Sequence, residues 1–487
     1  MKTVARICLA LAGVACVACA ALAEDKLLVG WASMSITPSK AVALSGQWHT
    51  RISKSVHDPV TATALAIEGR NESGIATQAI LISCDLVGVN ASTQQALRER
   101  LRPKLGGFDM RKLFLHATHT HTAPEVIEGQ YEIPKEGVMQ PTEYLGFLLD
   151  RLTQIALAAW QNRRPAGVSW GLGHAVVGHN RRAVYHKGQA IMYGETDRKD
   201  FSRVEGYEDH SVDMLFFWDS QSRLTGVAIN LACPSQVVEG ESYVSADFWD
   251  DVRKELRKRY SADLFVYPMT GAAGDQSPHF LLGRRAEARL RERRGVSETE
   301  EIAWRIANAV DYVLPGAQKD IRFQVPFQHE VEDLPLPLEK VTDAAVATAR
   351  ADYERLRTVA PSDPASYVKG LLDQNVIARY ERQDKDPNYT MELHVLRLGD
   401  IALATNPFEL YLDYGIRIKA WSPAEQTFLI ELACDVGGYL PTARALEGGG
   451  YSAEIDTYRV GPKGGQALVD RTVELIRTMW EGGPAPR

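Results

Sequence analysis

The sequence predicts a mixed α/β protein, with β-sheets flanked by helices, and three observations carry that prediction. Strand-length apolar runs alternate with amphipathic helix-length runs from Thr61 to Trp480. Loops rich in His, Gly, Asp, Asn and Tyr leave several of those strands, where α/β proteins place their sites. No internal repeat, low-complexity linker or charge-rich break divides the chain, so residues 24–487 are expected to form one large domain.

In chain order, the first segment reads as an export signal. Lys2 and Arg6 supply the positive charge, Ile7 to Ala20 the apolar stretch, and Ala21-Leu22-Ala23 a small-residue cleavage site. Removal of residues 1–23 by cleavage near Ala23 is expected, giving a periplasmic or secreted protein. Thr61 to Glu68 and Gln78 to Cys84 are predicted strands, followed by a helix from Ser92 to Leu101. Lys112 to Leu115 is a predicted strand, and Tyr144 to Trp160 an amphipathic helix. Val212 to Trp218, Leu224 to Leu231 and Asp263 to Pro268 are apolar strands, with a helix from Asp247 to Tyr260 before the last. Ser297 and Glu300 form a capping box ahead of a periodic helix. Met391 to Leu398 and Ile401 to Thr405 predict a hairpin turning at Gly399-Asp400. A helix from Leu410 to Trp421, a strand from Thr427 to Leu432 and a helix from Ala467 to Trp480 complete the set. Val341 to Glu381 is polar and helical, interrupted by Pro361 and Pro364, and reads as a surface insertion.

Composition narrows the function. Net charge is −7 and pI about 6.0, so no basic field points to nucleic acid. No segment past the signal reaches the ~18 apolar residues of a membrane span. The six arginines between Arg284 and Arg294 read as a solvated face, with transient membrane-surface contact as the other reading. Beyond the signal, Cys84, Cys233 and Cys434 are too few and too scattered for a disulfide framework.

The densest chemistry lies in Phe114 to Glu125, FLHATHTHTAPE. His119 and His121 are two residues apart, so an extended backbone would point both to one side and make half a metal site. Four later segments also come after predicted strands: LACPS around Cys233, GDQSPH from Gly274, TNPFE ending at Glu409, and GGYLPT from Gly437 with EGGGY ending at Tyr451.

Taken in order, these segments resemble the catalytic domain of the neutral (non-lysosomal) ceramidase family. The resemblance rests on THTHTAP at Thr118 to Pro124, HNRR at His179 to Arg182, GDQSP at Gly274 to Pro278, NPFE at Asn406 to Glu409 and GGYLPT at Gly437 to Thr442. It runs over nearly the whole chain after the signal, and the family's immunoglobulin-like C-terminal domain is expected to be missing. The resemblance implies that fold and a zinc-dependent amidase, with Zn2+ held by two histidines, a glutamate and a tyrosine. Carried over, His119, Glu409 and Tyr439 are three of the ligands. Cys233 stands where the family has its second histidine. A thiolate binds zinc well, at about 2.3 Å, but would make the ion a weaker Lewis acid; otherwise Cys233 is a buried packing residue. His121, Arg181, Ser277 and Tyr451 match residues the family uses around the metal. This implies His121 as acid/base and Arg181 with Tyr451 as donors to a substrate oxygen. The family serine has been cast as a nucleophile; Ser277 lacks an evident base partner, which favours positioning substrate or water beside Asp275.

The expected substrate is a small N-acyl or lipid-like amide. A TIM-barrel amidohydrolase also opens its metal site with HxH, but requires late lysine, histidine and aspartate where this chain has glutamate and tyrosine. A non-catalytic exported binding protein with a degenerate metal site is the remaining alternative.

Overall fold

The computed structural model describes residues 27–70, 76–358 and 364–481; the expected export signal lies outside them. Eight strands build the larger sheet: β1 (Leu28–Ser35), β2 (Thr61–Arg70), β3 (Ala76–Cys84), β4 (Leu113–Ala117), β5 (Arg164–His174), β6 (Ser211–Asp219), β7 (Leu224–Leu231) and β8 (Phe265–Thr270). Their spatial order is β8-β7-β6-β5-β1-β2-β3-β4. The outer pairs β3–β4 and β7–β8 are parallel, and the inner pairs antiparallel. A four-stranded sheet, β9 (Phe327–Pro337), β10 (Asn388–Leu398), β11 (Ile401–Thr405) and β12 (Gln426–Ile430), runs in chain order across its width.

The sheets stack face to face. Leu65, Leu81, Phe114 and Phe217 of the larger sheet meet Leu396, Leu403, Phe428 and Ile430 of the smaller one in a single apolar cluster. Helices α1 (Ala91–Leu101) and α2 (Pro141–Gln161) cover part of the larger sheet's outer face, and α3 (Phe248–Arg259) and α5 (Glu298–Ala317) the rest. Between the latter pair runs α4 (Arg284–Arg294), which has no buried residue, as the solvated reading of its arginines requires. The outer face of the smaller sheet packs against α8 (Leu412–Trp421) and α9 (Pro462–Trp480). The result is helix, sheet, sheet, helix, so central strands such as β3 are apolar on both faces.

Local rules explain the ends of these elements. The α5 capping box forms as expected, and Asp247 caps α3, whose first turn is acidic and last turn basic. Gly399 takes φ 66° in the predicted β10–β11 turn. The helix expected from Leu410 begins two residues later, because Phe408–Leu410 pairs as a short parallel strand with Gly438–Leu440. The segment expected on the surface as an insertion is a helical pair, α6 (Asp343–Thr358) and α7 (Pro364–Arg382). It is not confined to the surface: Val346, Ala349 and Val376 are buried together, and α7 walls a cavity. Among the described residues no helix is long and apolar enough to cross a membrane, and Cys84, Cys233 and Cys434 are free and buried.

One buried ion pair ties these layers together. Arg253 of α3 donates both terminal nitrogens to Asp85, at 2.8 and 2.9 Å, directly after β3. Asp85→Ala strands the guanidinium without its counter-charge, so unfolding in denaturant should show a loss of roughly 3–5 kcal/mol. A loss under ~1 kcal/mol would refute this role.

Candidate functional site

The site lies where the carboxyl ends of β4, β7, β8, β11 and β12 meet; the two outermost strands of the larger sheet, β4 and β8, come together there, with Thr270 Oγ1 donating to Ala117 O at 3.4 Å. Here the sheets touch directly: His116 bridges to Ala433, and Ala117 N–H donates to Leu432 O.

The histidine loop departs from the extended geometry its spacing suggested. The strand ends at Ala117, and His119 takes φ 64°, a left-handed conformation rare outside glycine. Backbone bonds hold it there: Thr118 N–H donates to Cys84 O and His119 N–H to Leu86 O. Thr120 and Thr122 both donate to the Ser245 carbonyl, which closes the loop over itself. The two imidazoles still meet, by the turn and not by strand alternation, with Nε2 atoms 3.4 Å apart.

His119 Nδ1 lies 2.6 Å from Val87 O, which only accepts, so Nδ1 carries the proton and Nε2 a lone pair. That Nε2 is 3.4 Å from Glu409 Oε2. Strand pairing sets Glu409 opposite Tyr439, and the Tyr439 hydroxyl accepts from Arg181 Nη2 at 3.1 Å. Arg181 also donates to Gly274 O and stands 3.9 Å from Glu409. Tyr451 stacks edge-on between Tyr439 and Trp48, at centroid distances of 5.5 and 5.3 Å.

The remaining expected residues are placed differently. Cys233 points its sulfur at the Pro234 carbonyl, 3.4 Å away, inside the apolar cluster under α3 and α5. His119, Glu409 and Cys233 do not bring three ligand atoms within 4.8 Å of one another. Asp275 is fully buried, accepts from Asn180 Nδ2 and Leu412 N, and so fixes the start of α8. Ser277 accepts from Tyr193 OH at 3.0 Å and from His279 N–H at 3.1 Å, and no imidazole bonds to it. Its strand pairs with His179–Asn180, which joins two of the motifs.

Several contributors escaped the sequence reading. Gln236 donates to His121 Nε2 at 2.7 Å, and Glu239 lies 3.5 Å from His121 Nδ1 on the other side. Gly46, at φ 94°, leaves room for the His121 ring; a Cβ there would sit 2.4 Å from its Cγ. Tyr193, also left-handed at φ 54°, carries the hydroxyl on Ser277. Arg182 binds Glu205 and the carbonyls of Gly449 and Tyr451, anchoring the glycine-rich loop. Single residues scattered between Gly46 and Glu239 leave no spacing to recognise.

Burial sets the protonation states. Burial pushes the His121 imidazole well below its usual range, reinforced by His119, Arg51 and Arg181, so it is neutral at pH 7. Burial favours a neutral Glu409, but His119 and Arg181 outweigh it and hold the carboxyl below the ordinary range. Burial, with Glu409 adjacent, raises the Tyr439 phenol well above 10, and the same causes push Tyr451 up to about 12.

His119 and Glu409 are spaced as two ligands of one zinc ion, with Tyr439 opposite Glu409 in the strand pairing. Ligand atoms about 2.0–2.1 Å from a tetrahedral ion stand roughly 3.3 Å apart, and the His119–Glu409 separation is of that size. A separate group that could hold a metal is Glu392, His394 and Cys434, with ligand atoms within 4.8 Å of one another. There Glu392 is paired with Arg98, and both nitrogens of His394 are taken by Glu392 and His329.

The layered sheets and helices are those of a known enzyme fold, the neutral ceramidase fold. The chain superposes on a crystal structure of neutral ceramidase from Pseudomonas aeruginosa with TM-score 0.68 and 16% identity, covering 95% of this chain and 77% of that one. A ceramidase complexed with C2 matches at TM-score 0.67 and 17% identity, with the same coverage. No protein-family model matches the sequence, and no curated protein sequence does.

The histidine loop gives a pH test. Asp58 accepts from Ser245 Oγ and Ala246 N–H, and so holds the residue whose carbonyl closes the loop. Burial pushes its carboxyl up to about 6, despite those bonds. The unfolded value is ~3.9, so the folded state takes up the proton first. This group therefore favours folding most below pH ~4, and that contribution is lost as pH rises through 6. Asp58→Asn should flatten the pH dependence of the thermal midpoint between about 4 and 6, relative to the unsubstituted protein.

Proposed function

We propose that this protein is an exported hydrolase that cleaves an N-acyl amide bond with a zinc ion held by His119, Glu409 and Tyr439. The convergence of His119 Nε2 on Glu409 Oε2 carries the reading, since an imidazole whose Nδ1–H is held by Val87 O and an ionised carboxylate are zinc donors. The likeness of fold to neutral ceramidases supports it. Three protein donors with one open position are the usual complement of a catalytic zinc site, so Cys233 is not required as a fourth. When bound, zinc supplies Lewis-acid polarisation of a carbonyl or a water.

The chain's own residues do the rest. His121, neutral and flanked by Gln236 and Glu239, is the acid/base of this reading, and takes a proton at Nε2 once the Gln236 amide that donates there turns aside. Arg181, fixed by the Gly274 carbonyl, directs a guanidinium N–H toward the Tyr439 edge of the site, where a substrate oxygen would develop charge. Tyr451 offers a protonated phenol on the same side. Ser277, already accepting two hydrogen bonds, positions Tyr193 and the His279 turn.

Purified protein loaded with zinc should release carboxylate from a panel of N-acyl amides and stop when the metal is chelated. His121→Ala should slow turnover by roughly 10²–10⁴-fold with zinc content unchanged. Turnover that survives metal removal would falsify the zinc reading.

Replacing ligands separates the donor roles. Glu409→Gln should lose most of the bound zinc in equilibrium dialysis, whereas Cys233→Ala should keep it. Loss of zinc from Cys233→Ala would restore the cysteine as a ligand.

A further inference from the structure

A cavity of about 320 Å³ opens beside Glu409, Tyr439 and Tyr451. Its opposite wall is α7, through Val368, Leu372 and Val376. These residues are spaced i, i+4, i+8, so they form one stripe along the helix. From Val368 to Val376 the stripe runs about 12 Å at 1.5 Å per residue. The wall is anchored on three sides: Tyr367 OH donates to Gly129 O, Lys369 pairs with Asp456, and Arg379 donates to the carbonyls of Ile455, Tyr458 and Glu339.

The character of the wall changes at its far end. Arg379 continues the same face and, with Arg459 and Arg382, lines an adjoining cavity of about 240 Å³. Among the described residues none of these three guanidiniums has a carboxylate within 4.0 Å. Arg379 already has three carbonyls as partners, and an alkyl chain pressed against Arg382 and Arg459 would strip water from two further charges. On the other side of the catalytic residues, a cavity bounded by Tyr193, Glu239 and His279 is lined by Arg284, Arg291, Glu287 and Glu298. That surface suits a polar group and not a second alkyl tail.

We propose that α7 selects the acyl arm of the substrate, and that the substrate is an N-acyl amide with one acyl arm of medium length and a compact polar amine. This rests on the hydrolase reading above and narrows it to single-tailed amides.

The test is a series of N-acetyl, N-octanoyl and N-palmitoyl glycine, with a two-tailed ceramide for comparison, and calorimetric binding of octanoate to the full chain. The octanoyl member should have the highest kcat/KM. Leu372→Trp and Val368→Trp should each lower the octanoyl-to-acetyl ratio of kcat/KM by about tenfold or more, and Arg459→Leu should raise the palmitoyl-to-octanoyl ratio. Thermal midpoints close to that of the unsubstituted protein show that the variants fold. Hydrolysis with ratios that the α7 substitutions leave unmoved, or a preference for ceramide, overturns the inference while the hydrolase reading stands. Where nothing is hydrolysed, that reading falls, and octanoate decides on α7. Binding weakened about tenfold or more by Leu372→Trp supports the wall; binding unchanged, or absent from the unsubstituted protein, overturns it.

Discussion

The carboxylate of Asp85 has no solvent exposure, so its charge must be balanced inside the protein. Arg253 supplies two donors, Thr61 N–H a third at 2.8 Å, and the Thr118 hydroxyl a fourth at 3.3 Å. Those groups come from the start of β2, the exit of β4 and the middle of α3. A buried pair of this kind adds little net stability over an apolar replacement, because both ions lose their water. What it does is penalise every arrangement in which those three elements are misplaced. The exit of β4 is the entry to His119, so the register of the site is set by an electrostatic condition several residues away from it.

Much of this architecture was legible in the sequence because it arises from periodicity. β7 is found at the residues read from its apolar run, the α5 cap forms on Ser297 and Glu300, and the β10–β11 hairpin turns at Gly399. Errors fell where a tertiary contact overrode the local pattern. Leu410 looks continuous with the helix that runs to Trp421, yet residues 408–410 pair with residues 438–440, and Asp275 caps the helix only at Leu412. The polar composition of α6 and α7 concealed that one stripe of α7 faces a cavity; the spacing of Val368, Leu372 and Val376 was the available signal.

The candidate site was legible in a different sense. Short motifs marked His119, Arg181, Glu409 and Tyr439, and the fold brings these four together. The reasoning from an extended HxH did not hold, since His119 is left-handed. Gly46 and Glu239, which shape and flank the His121 ring, come from segments that carry no recognisable pattern. Complementary shape around an imidazole is a property of the packed chain and has no one-dimensional trace.

Cys233 shows why a ligand type in the right motif is not yet a ligand. Burial raises its thiol well above the usual range, and the nearby Asp247 and Glu431 add to that while Arg181 opposes it. Its sulfur is instead directed to a neighbouring carbonyl within an apolar cluster. Glu409, by contrast, keeps part of its side chain exposed and faces His119 and Arg181, and there the ionised form is the favoured one. The two groups differ in where they point, the carboxylate toward the histidine loop and the thiol toward the Pro234 carbonyl. Placement in the packed chain therefore separates the two motif residues, which is what a linear motif does not record.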